Sequence, residues 1–204
     1  MELNKAIRIP KQKRSIITNE KIIKTAFKLF CEKGYYKTTT NEIAKIAGVS
    51  IGSFYSYYKD KDTIFMKILD DYNKLFLEIN NESELAINLY KSDKKKWLQK
   101  LINKILNIHE SSKQLNKEIK ILSYSMPEIA EINKKHHEII IKVILEYLHM
   151  CKNDIKISDL YVASIISYNI ISSTVDHIAF EETIISRERL IEATVEAVYK
   201  FLFK

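Results

Sequence analysis

Gly52, Ser53, Tyr55, Ser56 and Tyr57 bring small, hydrogen-bonding and phenolic groups together in one short run. A helix buried on all sides would not carry them, and a merely solvated helix would carry Glu and Lys instead. Small and polar residues at the N-terminal end of a helix let its backbone approach base edges in the major groove of DNA. The chemistry offered is therefore recognition. The competing reading is an ordinary helical hairpin with a tyrosine-rich core.

The flanking sequence supplies the elements that must position this run. Thr39 caps a first short helix, and Glu42 three residues on completes a capping box. Ile43, Ala44 and Ala47 give that helix an apolar face, and the small Ala44 allows a close crossing. Gly48 stands where the chain must turn, and glycine accepts φ > 0 there at no steric cost. Ser50 caps a second helix from Ile51 to about Tyr58, with Val49 and Phe54 packing back on the first. Together these make a helix-turn-helix. Upstream, a helix from the N-cap Asn19 to about Lys33 is stopped by Gly34. Its residues Ile22, Ile23, Ala26, Phe27, Leu29 and Phe30 share one side and would bury the back of the pair. Tyr35 and Tyr36 then either pack or touch phosphates.

The residues Gly34, Tyr35, Thr38, Thr39, Glu42, Ile43, Ala44, Ala47, Gly48, Val49, Ser50, Gly52, Tyr55, Tyr58 and Lys61 resemble the DNA-binding signature of TetR/AcrR-type helix-turn-helix transcriptional regulators. The match covers roughly residues 19–70. Ile51 departs from the pattern, standing where the family often has a polar or basic residue, and Tyr58 stands where Phe is commoner. The first departure bears on base preference and not on the fold. The resemblance implies that Thr39, Thr40, Ser50, Gly52, Ser53, Tyr55, Ser56, Tyr57 and Lys61 bind DNA. It places Thr39, Tyr55 and Lys61 on phosphates, Gly52 and Tyr57 near bases, and Ser56 at either. It further implies a homodimer, joined through its last two helices, on a near-palindromic double-stranded operator. The expected regulator is a repressor released by a small apolar or aromatic ligand. An activator, or a regulator with no small-molecule effector, is the alternative.

Composition points to the same partner. Three Gly and two Pro in 204 residues leave few breakers, so the chain should be all-α. The net charge is +7, and residues 1–62 hold thirteen Lys/Arg against six Asp/Glu. The remaining residues hold twenty of each, so the whole excess lies on the helix-turn-helix segment. A basic membrane-surface protein would align its cations along one amphipathic helix instead. Lys5, Arg8, Lys11, Lys13 and Arg14 form a basic tail with no helical periodicity before about Thr18. That tail is either simply solvated or an arm along phosphates or in the minor groove. Cys31 and Cys151 make no disulfide framework, and with no signal peptide the expected compartment is the reducing cytoplasm. No run of eighteen apolar residues exists to span a membrane.

Beyond residue 62 the chain reads as a larger helical body, residues 63–204, for effector binding and dimerisation, giving about nine helices in all. A long helix from Asp60 carries Ile64, Phe65, Ile68, Leu69, Tyr72, Leu75, Phe76 and Ile79. Ser92 or Asp93 opens the next, and another covers about Lys113 to Ser123. A capping box of Ser125 and Glu128, with Pro127 in the first turn, begins a helix to about Met150. Ser158 caps one to about Phe180, with Ile157 and Val162 as a hydrophobic staple, and Ser186 caps the last. Those two carry more apolar surface than one core-facing stripe needs, as a four-helix dimer interface would.

Trp97, Tyr124, Met126, Tyr147, Tyr168 and Asp176 are the candidate ligand-pocket residues, polar-tipped and aromatic groups among aliphatics. Each is equally an ordinary core residue. Catalytic, metal and cofactor chemistry is not expected, since no phosphate-cradling glycine loop or H-E-x-x-H occurs. The adjacent His136 and His137 point about 100° apart on a helix and cannot chelate together. Cys151 near His149 reads as core packing or chance, and Asp176 beside His177 signals little unless the Asp faces the core, where it would be a ligand contact.

Overall fold

The computed structural model describes residues 13–78 and 84–204, with the side chains of residues 84–86 outside that description. Lys5, Arg8 and Lys11 of the basic tail, and Ile79, therefore lie outside the described residues. What is described is all-α. Ten α-helices run in order: α1 (Lys13–Lys33), α2 (Thr40–Ile46), α3 (Ile51–Tyr57), α4 (Lys61–Glu78), α5 (Glu84–Ser92), α6 (Lys94–Ser111), α7 (Lys113–Ser125), α8 (Pro127–Met150), α9 (Leu160–Phe180) and α10 (Arg187–Leu202). A 3₁₀ turn at Lys152–Asp154 and an isolated bridge between Ile155 and Phe203 complete the set.

Helix starts follow side chains that accept an orphan backbone N–H. Thr39, Ser50, Asp93, Asp159 and Ser186 each accept from the residue three further on, and so cap α2, α3, α6, α9 and α10. Asp60 accepts from the Thr63 N–H at 2.7 Å and does the same for α4. Several expected boundaries move. Asn19 is no N-cap, because α1 already runs from Lys13; its Oδ1 accepts instead from the Tyr58 hydroxyl at 2.7 Å. Asp159, not Ser158, caps α9, since a carboxylate one residue on reaches the Val162 N–H at 3.0 Å. The Ser125–Glu128 box does not form: Ser125 ends α7 with its hydroxyl donating to the Leu122 carbonyl. Pro127 instead opens α8, where a missing N–H costs nothing. The short α5 was not expected.

The chain divides into two compact units. The first comprises the residues up to Tyr72 together with Gln114–Ile132. It therefore takes in more than residues 1–62, the segment assigned above to DNA; compactness and division of labour draw different boundaries. Its core holds Ile22, Ala26, Phe30, Ile43, Phe54, Ile64, Phe65 and Leu69, all fully buried. Phe30, Tyr35 and Phe65 pack as a ring cluster with centroids 5.0–6.0 Å apart. Asn116 on α7 donates to the Tyr72 hydroxyl at 2.7 Å, so α7 is tied in by a polar bond as well as by Leu115 and Leu122.

The second unit comprises Asn73–Lys113 and Asn133–Lys204. Leu98, Ile102 and Leu106 of α6 face Leu160, Ala163 and Val175 of α9 and Ile191, Val195, Val198 and Leu202 of α10 in one apolar core. The bridge at Phe203 closes it, with the Lys156 N–H donating to the Leu202 carbonyl at 2.9 Å.

Candidate nucleic-acid interface

The helix-turn-helix is built by local chemistry. Gly48 adopts φ +68°, and the turn is held by the Val49 N–H on the Ala44 carbonyl at 3.0 Å. The Ser53 N–H bonds Ser50 Oγ at 3.0 Å and starts α3, while Phe54 is completely buried beneath it. The Glu42 N–H bonds Thr39 Oγ1 at 3.2 Å, as a capping box requires. The second half of the box is diverted: the Glu42 carboxylate pairs with the Lys33 ammonium, fixing α2 to the end of α1.

One side of α3 stays open. Ile51, Gly52 and Tyr55 are exposed there, Ile51 at 38% and Tyr55 at 49%, and Ser53 and Ser56 are half-buried. The Tyr55 hydroxyl lies 3.2 Å from Thr40 Oγ1, so the start of α2 and the middle of α3 present their hydroxyls together. The Ser56 hydroxyl donates to the Ser53 carbonyl at 2.7 Å. Lys37 before α2, Lys45 on α2 and Lys59 after α3 are exposed, and α1 begins with exposed Lys13 and Arg14.

Tyr57 does not belong to the open face. It is 7% exposed, and its hydroxyl lies 3.1 Å from Ser15 Oγ and donates to the Ser15 carbonyl at 3.2 Å. The extra turns of α1 before Asn19 supply that partner, which is why the expectation misplaced it. Of the two loop tyrosines, Tyr35 is buried and Tyr36 exposed. The Tyr35 hydroxyl donates to Asp62, and burial together with that carboxylate raises its pKa. Lys61 donates to the Tyr35 carbonyl at 2.9 Å and lies 4.0 Å above the Tyr35 ring, with burial lowering its pKa. Burial likewise pushes the Tyr58 phenol up to about 12, so it stays a neutral donor to Asn19.

Residues 22–68 match the family model described as bacterial regulatory proteins, tetR family. That stretch, which contains α2 and α3, is similar to the DNA-binding segment of TetR-family regulators. Over 61 residues it is 44% identical to YuxN of Bacillus subtilis, an uncharacterized HTH-type transcriptional regulator, covering 29% of this chain and 21% of that one. Over 130 residues it is 28% identical to IcaR of Staphylococcus epidermidis, the negative transcriptional regulator of the biofilm operon icaADBC, covering 60% and 67%. The chain spans a third or less of the length of YuxN and of two further curated relatives it matches. A TetR-family regulator from Mesorhizobium loti shares its fold with TM-score 0.75 and 20% identity over 95% of this chain and all of that one. All three are described as transcriptional regulators. Among the described residues no helix is long and apolar enough to cross a membrane.

The six expected ligand residues are not brought together. Tyr124 is 95% exposed on α7. Half-buried Met126 forms the junction of α7 and α8 in the first unit. Trp97 packs edge-on against Tyr90 at 5.4 Å beside the main core of the second unit, and Tyr147 is half-buried on α8. Tyr168 and Asp176 both lie on α9, where burial raises the Tyr168 pKa and Asp176 adds to it.

A different group assembles in the second unit. The Phe76 ring lies 5.2 Å from His109 and 5.8 Å from His136, and His109 lies 5.9 Å from Phe180. These rings come from α4, α6, α8 and α9. His136 is hydrogen-bonded to the Asn73 backbone, and burial lowers its pKa. Asn73 Nδ2 and His136 Nε2 are buried with no hydrogen-bond partner among the described residues. The bond to the Asn73 backbone therefore uses Nδ1–H, and Nε2 is left as an acceptor. The sequence signal for this group was weak, because two histidines and an Asn on three different helices have no shared spacing.

Proposed function

We propose that this chain is a homodimeric, DNA-binding transcriptional repressor that releases its operator when a small, largely apolar or aromatic molecule binds its second unit. The observation that carries the reading is the open face of α3. It is uncharged and includes Gly52, and it is set in the segment that carries the entire positive excess of the chain. Such a surface meets bases at close range while surrounding cations meet phosphates. Thr39, Thr40, Tyr55 and Lys61 hold phosphates; Gly52, Ser53 and Ser56 lie nearest bases, and Ser50 sets the start of α3. Buried Tyr57 is structural in this reading and is removed from the base-contacting set.

Repression is supported by the relation to IcaR, named a negative regulator. Pairing through α9 and α10 is supported by the exposed Val162 and Ile166, aliphatics one turn apart on α9. The effector site is the Phe76–His109–His136–Phe180 group. There the unpaired acceptor at His136 Nε2 and the donor at Asn73 Nδ2 suit a planar ligand bearing both a donor and an acceptor. A cytoplasmic site of action follows from the reading. The test is an electrophoretic mobility shift with the duplex upstream of the chain's own coding region, repeated with aromatic compounds. A retarded band that disappears at saturating compound is expected, while salt-insensitive or absent retardation would overturn the reading.

A further inference from the structure

We propose that Ile51 determines operator specificity by packing against the C5-methyl group of a thymine, so each half-site carries an A·T pair at the position α3 enters first. This rests on the reading of α3 as the groove-reading helix. The argument begins from what α3 lacks. Its seven residues, IGSFYSY, contain no Arg, Lys, Asn, Gln, Asp or Glu, the side chains that make bidentate hydrogen bonds to base edges.

The hydroxyls that remain are largely engaged. Ser50 Oγ accepts from the Ser53 N–H, Ser56 Oγ donates to the Ser53 carbonyl, and the Tyr55 hydroxyl sits against Thr40. Gly52 has no side chain and lets the backbone come close. Ile51 is the first residue of α3, more than a third exposed, and it is the aliphatic group on that face. An aliphatic side chain among base edges has one apolar partner in the major groove, the thymine methyl. Against a guanine or cytosine edge it would bury hydrogen-bonding groups without replacing them.

The test removes one methyl group and nothing else. A high-affinity site is selected from a pool of random duplexes, and each thymine of one half-site is exchanged in turn for deoxyuridine. Burying one methyl is worth roughly a 3- to 5-fold change in affinity, so one position per half-site should show a loss of about that size. With Ile51→Ala the same exchange should have no effect, since no side chain then reaches the methyl. Ile51 is exposed, so this variant should keep its helicity and melting temperature. If no thymine in the selected site is sensitive to methyl removal, or if Ile51→Ala keeps the full sensitivity, the assignment is wrong. If the wild-type chain selects no sequence and binds no duplex in a salt-dependent way, the broader DNA-binding reading fails first.

Discussion

Single residues divide into those fixed by their neighbours in sequence and those fixed from afar. Gly48, Ser50 and Phe54 stand where spacing put them, because a turn, a cap and an inward position on one short helix are local decisions. Tyr57 was not legible, because its partner Ser15 lies 42 residues away on a part of α1 that no periodicity announced. Tyr57→Phe should cost about 1 kcal/mol through the lost bonds to Ser15. A urea denaturation series would show this as a lower midpoint, with the sequence preference of the chain unchanged. Gly34 is the second residue with a firm expectation. It holds φ +82°, and an added Cβ would run into the Glu118 carboxylate on α7. Gly34→Ala should destabilise by about 1–2 kcal/mol, the cost of an L-residue in left-handed backbone. Thermal melting of the variant measures it. Gly52→Ala should cost the fold nothing comparable, since its Cβ would approach only Ser50 Oγ at 3.9 Å.

At the scale of elements, the helices were readable from period and caps. The start of α9 shifted because two capping residues competed there, Ser158 and Asp159. What periodicity could not show is which apolar faces meet each other and which stay open. On α9, Val162 and Ile166 remain exposed although α9 also supplies Ala163 and Val175 to the core. If the proposed dimer forms through this face, Ile166→Glu should convert it to monomer at micromolar concentration, read by light scattering, and lower operator affinity by on the order of 100-fold through lost avidity. A dimer unaffected by that change would place the interface elsewhere. The polar group shared by α4, α6, α8 and α9 gives a pH prediction. Burial, with His137 adding in the same sense, holds the folded pKa of His136 below its ordinary value of about 6.5. The unfolded chain then takes up a proton that the folded chain refuses. Stability present above about pH 6.5 is accordingly lost as the pH falls towards the folded value. With His109 and His137 left in place, His136→Gln should lose less stability than wild type between about pH 7.5 and about pH 5.5. Urea midpoints at the two pH values decide it.

For the whole molecule, the charge distribution and the helix-turn-helix spacing made the proposed DNA-facing segment legible. The proposed effector site was not, since its members Asn73, Phe76, His109, His136 and Phe180 meet only after four helices pack. The central claim is that α3 enters DNA on its open face. Gly52 tests it directly, because the protein itself leaves room for a side chain there and only an incoming surface would object. The decisive measurement is fluorescence anisotropy of a labelled duplex from the upstream region, titrated with wild type and Gly52→Leu across a salt series. The expected result is wild-type affinity that falls steeply and log-linearly with salt, and site-specific binding abolished in Gly52→Leu with its helicity intact. Equal binding by the two proteins, or wild-type affinity indifferent to salt, would contradict the account.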